Sequence, residues 1–126
     1  MSITIVSDVF GITPGLLRLK DELDATTIVD PYEGQCMAFS SEADAYTYFI
    51  SNVGLESYVS MLVKTLRSLQ SPTTLVGFSV GASAVWSLSA TNEAKVVKQS
   101  YCFYGSQIRN LTKTQPCYQI HLIFPQ

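Results

Sequence analysis

Gly77-Phe78-Ser79-Val80-Gly81 lies between two contrasting runs. Pro72-Thr73-Thr74-Leu75-Val76-Gly77-Phe78 reads as a short buried strand after a breaker, and Ala82-Ser83-Ala84-Val85-Trp86-Ser87-Leu88-Ser89-Ala90 as a small-residue helix packed closely on a sheet. A bare G-x-S-x-G pattern arises by chance in about one chain of this length in thirty, so the order strand, sharp turn, helix carries the argument. In that order the pentapeptide has the form of a nucleophile elbow. Its glycines spare a tight turn from Cβ collisions with neighbouring backbone, and the serine between them takes a strained conformation that lifts its hydroxyl clear of the sheet. Ser79 is the candidate nucleophile, and Gly77 and Gly81 are structural residues of the turn.

Outward from the elbow the alternation continues. Ile3-Thr4-Ile5-Val6-Ser7 predicts a first strand, and Thr13-Pro14 an N-cap with proline at the first helical position before Leu16, Leu17, Leu19 and Leu23. Thr26-Thr27-Ile28-Val29 predicts a second strand, ended by Asp30-Pro31 as a turn, with loop over residues 32 to 40. Ser41-Glu42-Ala43-Asp44 is a near capping box ahead of a short helix through Ile50. Leu55, Tyr58, Val59, Leu62, Val63, Leu66 and Leu69 step by three and four, so helix 55 to 70 has one apolar face to lay on a sheet. Ser100 to Tyr104, closing on Gly105, and Tyr118 to Phe124, closing on Pro125, predict two more strands, with a polar connection over 106 to 117.

The expected class is α/β: three layers around a mainly parallel five-stranded sheet, in a single domain over residues 1–126 with no repeat or linker. Right-handed crossovers favour the doubly wound order 2-1-3-4-5, which sets the first and third strands side by side. Asp8, just past the first strand, and Ser79, just past the third, then converge at the carboxyl edge where ligands bind in such sheets.

Composition narrows the function. The eight basic residues are scattered and the net charge is −2, so no basic stripe exists to follow a phosphate backbone, and nucleic acid is not an expected partner. Three widely spaced cysteines (Cys36, Cys102, Cys117) and one histidine fit neither a disulfide framework nor a metal site and point to a reducing compartment, the cytoplasm by default. No apolar run is long enough to span a bilayer, so no membrane is expected. With 47% hydrophobic and 14% charged residues, the chain suits a sheet covered on both faces or a surface completed by another chain.

Asp8-Val9-Phe10-Gly11-Ile12, Ile28-Val29-Asp30-Pro31-Tyr32, Gly77-Phe78-Ser79-Val80-Gly81-Ala82 and Phe103-Tyr104-Gly105 together resemble the dienelactone hydrolase family of α/β-hydrolases across nearly the whole chain. The resemblance implies an α/β-hydrolase-like fold and a hydrolase acting on small ester-like substrates without a cofactor. Ser79 would be the nucleophile, the backbone N–H groups of Val9 and Val80 would form the oxyanion hole, and Asp8 would stand where the family has a glutamate paired with the resting nucleophile. Two departures matter. The family's namesakes use cysteine where this chain has Ser79, and the triad acid and histidine of the fold fall after the last strand, where the acid's loop would begin at about Pro125-Gln126. Relative to the family the chain is therefore expected to be C-terminally incomplete and, alone, inactive.

The candidate residues have plainer readings as well. Asp8 serves equally as a loop or helix-capping acid. His121, in mid-strand, is expected to be structural. Trp86, Tyr101, Phe103 and Tyr104 could line an apolar pocket or fill the core, where Cys102 belongs, while Cys36 and Cys117 read as loop thiols. Beside the hydrolase reading stands a non-catalytic binding or interaction domain, its open sheet edge covered by a partner or second copy. A flavodoxin-like anion binder ranks last, for want of a phosphate-loop lysine.

Overall fold

A computed structural model describes residues 2–89, 91 and 95–103 in full and residues 119–123 by backbone alone. The elements run β1 (Ser2–Val6), α1 (Pro14–Leu23), β2 (Thr27–Val29), α2 (Glu42–Asn52), α3 (Gly54–Ser68), β3 (Thr73–Phe78), α4 (Val80–Leu88), β4 (Val97–Phe103) and β5 (Gln119–Ile123). The class is α/β with a parallel sheet. Four strands described with their side chains stand in the order β2-β1-β3-β4, and the backbone of β5 continues the sheet beyond β4.

Local chemistry sets the boundaries. Thr13 caps α1 by accepting from the Leu16 N–H at 3.1 Å, with Pro14 at the first helical position. Ser41 caps α2 in the same way through the Asp44 N–H, also at 3.1 Å. Two elements begin two or more residues earlier than the sequence suggests. The strand expected from Ser100 starts at Val97, which pairs with Thr73 and is buried; Lys95 and Lys98 around it hide the apolar signal. The helix expected from Ala82 starts at Val80, because Gly81 belongs to its first turn rather than to the loop. Tyr104, Gly105, Cys117, the 106–117 connection and Pro125-Gln126 lie outside the described residues.

The core forms where α3 and α4 cover the sheet. Tyr58, Leu62 and Leu66 of α3 meet Ala82, Val85 and Leu88 of α4 above Val6, Leu75 and Cys102. Each fully buried leucine there contributes about 1.5–3 kcal/mol relative to exposure. Strand alternation separates the two faces: a Cβ on Gly77 would point at Ala82 of α4, so Phe78 points the other way, where it shares a cleft with Leu16 and Leu19 of α1. That face is lightly covered, since α1 has no fully buried residue.

Candidate functional site

β1 and β3 are neighbours, paired from Ser2↔Thr73 to Val6↔Gly77, so the chain leaves both strands side by side at the carboxyl edge. From β3 it enters the elbow. Ser79 has φ 55° and ψ −116°, far from the left-handed well at φ 53°, ψ 40° that Asp24 occupies as the cap of α1. A non-glycine residue in such a region costs on the order of 1–3 kcal/mol and persists only where its surroundings dictate it. They do so here. The Ser79 N–H donates to the Phe103 carbonyl at 2.7 Å, and the Ser79 carbonyl accepts from the Ser83 N–H at 3.0 Å.

The glycines have the steric role expected of them. A Cβ on Gly81 would lie 2.2 Å from the Val6 carbonyl oxygen and 2.6 Å from that of Ser7; one on Gly77 would lie 2.9 Å from Ala82 Cα and from Gly81 C. All of these are backbone atoms that cannot swing aside. The first turn of α4 is thus pressed onto the exit of β1, and Val80 is brought beside the Ser7-to-Gly11 segment. Serine is a favoured N-cap, yet the Ser79 side chain makes no capping hydrogen bond to α4, which leaves its half-buried hydroxyl for other work.

The exit of β1 is a turn held by hydrogen bonds. The Asp8 carbonyl accepts from the Gly11 N–H and the Ser7 hydroxyl, both at 3.1 Å, and the Asp8 carboxylate accepts from the Phe10 N–H at 2.9 Å. The Asp8 carboxyl is therefore used within its own loop. It caps no helix, that role in α1 being filled by Thr13, and among the described residues no hydrogen bond links it to Ser79. Its short side chain closes a turn onto the residue two ahead, a geometry natural to aspartate. Burial pushes this carboxyl above its usual range, the Phe10 N–H opposes the shift, and the negative charge of Glu42 adds to it.

Two tyrosines brace this edge. Tyr58 of α3 is fully buried, its hydroxyl 2.8 Å from the Ser7 carbonyl and 3.0 Å from that of Val29, where β1 and β2 part. Tyr32 reaches across from the loop after β2 to donate to the Val9 carbonyl at 2.5 Å. Asp30 ends β2 as a turn, its carboxylate accepting from the N–H groups of Tyr32 and Gly34 at 3.0 and 2.9 Å. Sequence reading placed Tyr58 in an apolar stripe and gave Tyr32 no role. The available signal was a tyrosine among leucines, since a buried phenol needs a polar partner.

The remaining candidates lie away from Ser79 or around it. Cys102 is core, its thiol pushed up to about 12 by burial, and Cys36 is exposed. Phe103 stacks on Phe78 with centroids 5.1 Å apart, while Tyr101 and Trp86 are half-buried, so none of the three is sealed core. The backbone of His121 pairs with Tyr101, which pairs with Val76, three residues short of Ser79. Two strand spacings and three residues of rise are about 10 Å each, which keeps His121 away from the elbow. A cleft of about 230 Å³ opens between α1 and the elbow strand, lined by Asp8, Phe10, Leu16, Leu19 and Phe78 among others. Among the described residues no cluster of histidine, cysteine or carboxylate groups could hold a metal, and no helix is long and apolar enough to cross a membrane.

The fold and site define a parallel α/β chain whose third strand enters a helix through a strained serine. The chain is similar to an uncharacterized protein of Bacillus subtilis (strain 168), YczH, with 30% identity over 94 residues, 74% of this chain and 45% of that protein. It thus spans about half the length of the curated relative it matches. No protein-family model matches it.

Proposed function

We propose that this chain carries the nucleophile half of an α/β-hydrolase-type serine site, acting on small ester-like substrates as in the dienelactone hydrolase family. The observation that carries the reading is the Ser79 backbone, held at φ 55°, ψ −116° by glycine contacts on both sides. Strain maintained at a serine that caps nothing has a use in exposing the hydroxyl.

In this reading the Ser79 hydroxyl attacks the ester carbonyl carbon, and the negative charge that develops on the carbonyl oxygen is received by the N–H groups of Val80 and Val9. Two features support those donors. Val80 is the first residue of α4, where N–H groups have no partner within the helix and the helix dipole favours negative charge. Val9 is 3% exposed, and among the described residues its N–H meets no acceptor, which is unusual for a buried backbone donor. The cleft lined by Phe10, Leu16, Leu19 and Phe78 would take an apolar arm of the substrate. Among the described residues no base or acid is hydrogen-bonded to Ser79, and the Asp8 carboxylate, committed to Phe10, shapes the oxyanion turn instead.

An alkyl fluorophosphonate, with imidazole added as an external base, tests the reading. Peptide-resolved mass spectrometry should find Ser79 labelled at least about tenfold faster than the other serines, a modest share of what a positioned base supplies. Labelling of Ser79 no faster than that background, or a total rate unchanged in Ser79→Ala, would contradict it.

A further inference from the structure

In the turn after β1 the Val9 N–H meets no acceptor among the described residues, and the other polar groups of its two peptide units are tied down. Val9 sits between two peptide units. In the first, the Asp8 carbonyl is held by the Gly11 N–H and the Ser7 hydroxyl. In the second, the Phe10 N–H is held by the Asp8 carboxylate and the Val9 carbonyl by the Tyr32 hydroxyl. Only the Val9 N–H, among the described residues, is left over. Rotating it would require breaking a hydrogen bond on one side or the other.

Three of those four bonds come from within the Ser7–Gly11 segment; the fourth comes from a different strand exit. Tyr32 is itself fixed three ways. Its N–H donates to the Asp30 carboxylate at 3.0 Å, and its ring makes edge contacts with Phe39 and Tyr48 at centroid distances of 5.6 and 5.7 Å. The same ring lies against Gly11, which has φ 71°: a Cβ there would come 2.7 Å from Tyr32 Cδ2. Burial and the nearby Asp8 charge push the phenol up to about 12, so it stays protonated and able to donate across the neutral range. A phenylalanine could make the ring contacts equally well, and among the described residues the hydroxyl's one hydrogen bond is to the Val9 carbonyl.

We propose that Tyr32 is a positioning residue for the oxyanion donor: it anchors the Val9 carbonyl so that the Val9 N–H keeps a fixed direction toward the oxygen of a substrate bonded to Ser79. The role rests on the hydrolase reading of Ser79 and Val9. It makes the loop after β2, which supplies no reacting atom, part of the machinery for stabilising charge.

Tyr32→Phe in the full chain tests this with two measurements. Amide hydrogen exchange, read at Phe10 and Gly11 with Leu75 and Val76 of β3 as internal controls, should speed up about tenfold at the turn, as expected for losing one net hydrogen bond, and not at the controls. Fluorophosphonate labelling at Ser79 should show a maximal rate lowered about tenfold or more, as for a misplaced oxyanion donor, at an unchanged half-saturating concentration. Unchanged exchange at Phe10 and Gly11 overturns the proposal, as does a labelling rate equal to that of the wild type. The comparison of wild type with Ser79→Ala reads the hydrolase proposal separately; should those two label alike, the exchange rates alone decide whether Tyr32 holds the turn.

Discussion

The two chain exits that meet at the carboxyl edge are held by opposite means. After β3, the elbow is fixed by sterics: two glycines let backbone approach backbone so closely that no side chain fits, and Ser79 is bent to suit. After β1, the Asp8–Gly11 turn is fixed by hydrogen bonds, most of them within the turn and one from Tyr32 in the loop after β2. The elbow would present the attacking oxygen and one donor, the β1 turn the second donor. A steric constraint fails abruptly when volume is added, whereas a hydrogen-bonded one loosens by degrees as its members are removed.

The largest expected effect breaks the steric side. Gly81→Ala puts a methyl into the Val6 carbonyl, and the destabilisation should be roughly 3 kcal/mol or more, with Gly77→Ala somewhat milder at about 2 kcal/mol because its contacts are less severe. Urea denaturation reads both, and a loss under about 1 kcal/mol for Gly81→Ala would mean that α4 stands off from β1. Next comes the polar side. Tyr58→Phe removes the buried hydroxyl that satisfies the Ser7 carbonyl, and should cost about 1–3 kcal/mol in the same assay.

The smallest effect is electrostatic and carries a sign. Burial raises the Asp8 carboxyl above 3.8, so the folded chain binds this proton more tightly than the unfolded chain does. Stability from this group is greatest at low pH, falls as pH rises through the window between the unfolded and the raised folded value, and is constant above it. Asp8→Asn keeps an acceptor for the Phe10 N–H without the charge. It should raise the melting temperature at pH 7 by about 1–3 °C and leave it unchanged well below the carboxyl range.

The same contrast explains what the sequence disclosed. The elbow was legible because its constraint is written locally, as glycines flanking a serine between a β-branched run and a small-residue run. The capped start of α1 at Thr13-Pro14 was legible for the same reason, and so was the turn at Asp30. The β1 turn was not, because two of its supports come from far along the chain: Tyr58 lies 51 residues from Ser7, and Tyr32 lies 23 from Val9. Periodicity recorded Tyr58 as one more apolar position and could not show where its hydroxyl would go. The convergence of Asp8 with Ser79 followed from strand order, but not the use of its carboxylate on Phe10, which depends on a side chain one methylene shorter than glutamate.

If Val9 and Val80 make a pocket for negative charge beside Ser79, a charge introduced there should be stabilised, which gives the sharpest test. Ser79→Cys places a thiol whose ionisation needs no base, in a chain with Cys36 and Cys117 replaced by serine. Its alkylation by iodoacetamide as a function of pH gives the thiol pKa by peptide-resolved mass spectrometry. The expected pKa is at least about one unit below the free-cysteine value of about 8.5, in the manner of thiolates at helix N-termini, with a return toward that value in Tyr32→Phe. A thiol at or above the free value, indifferent to Tyr32, would contradict it.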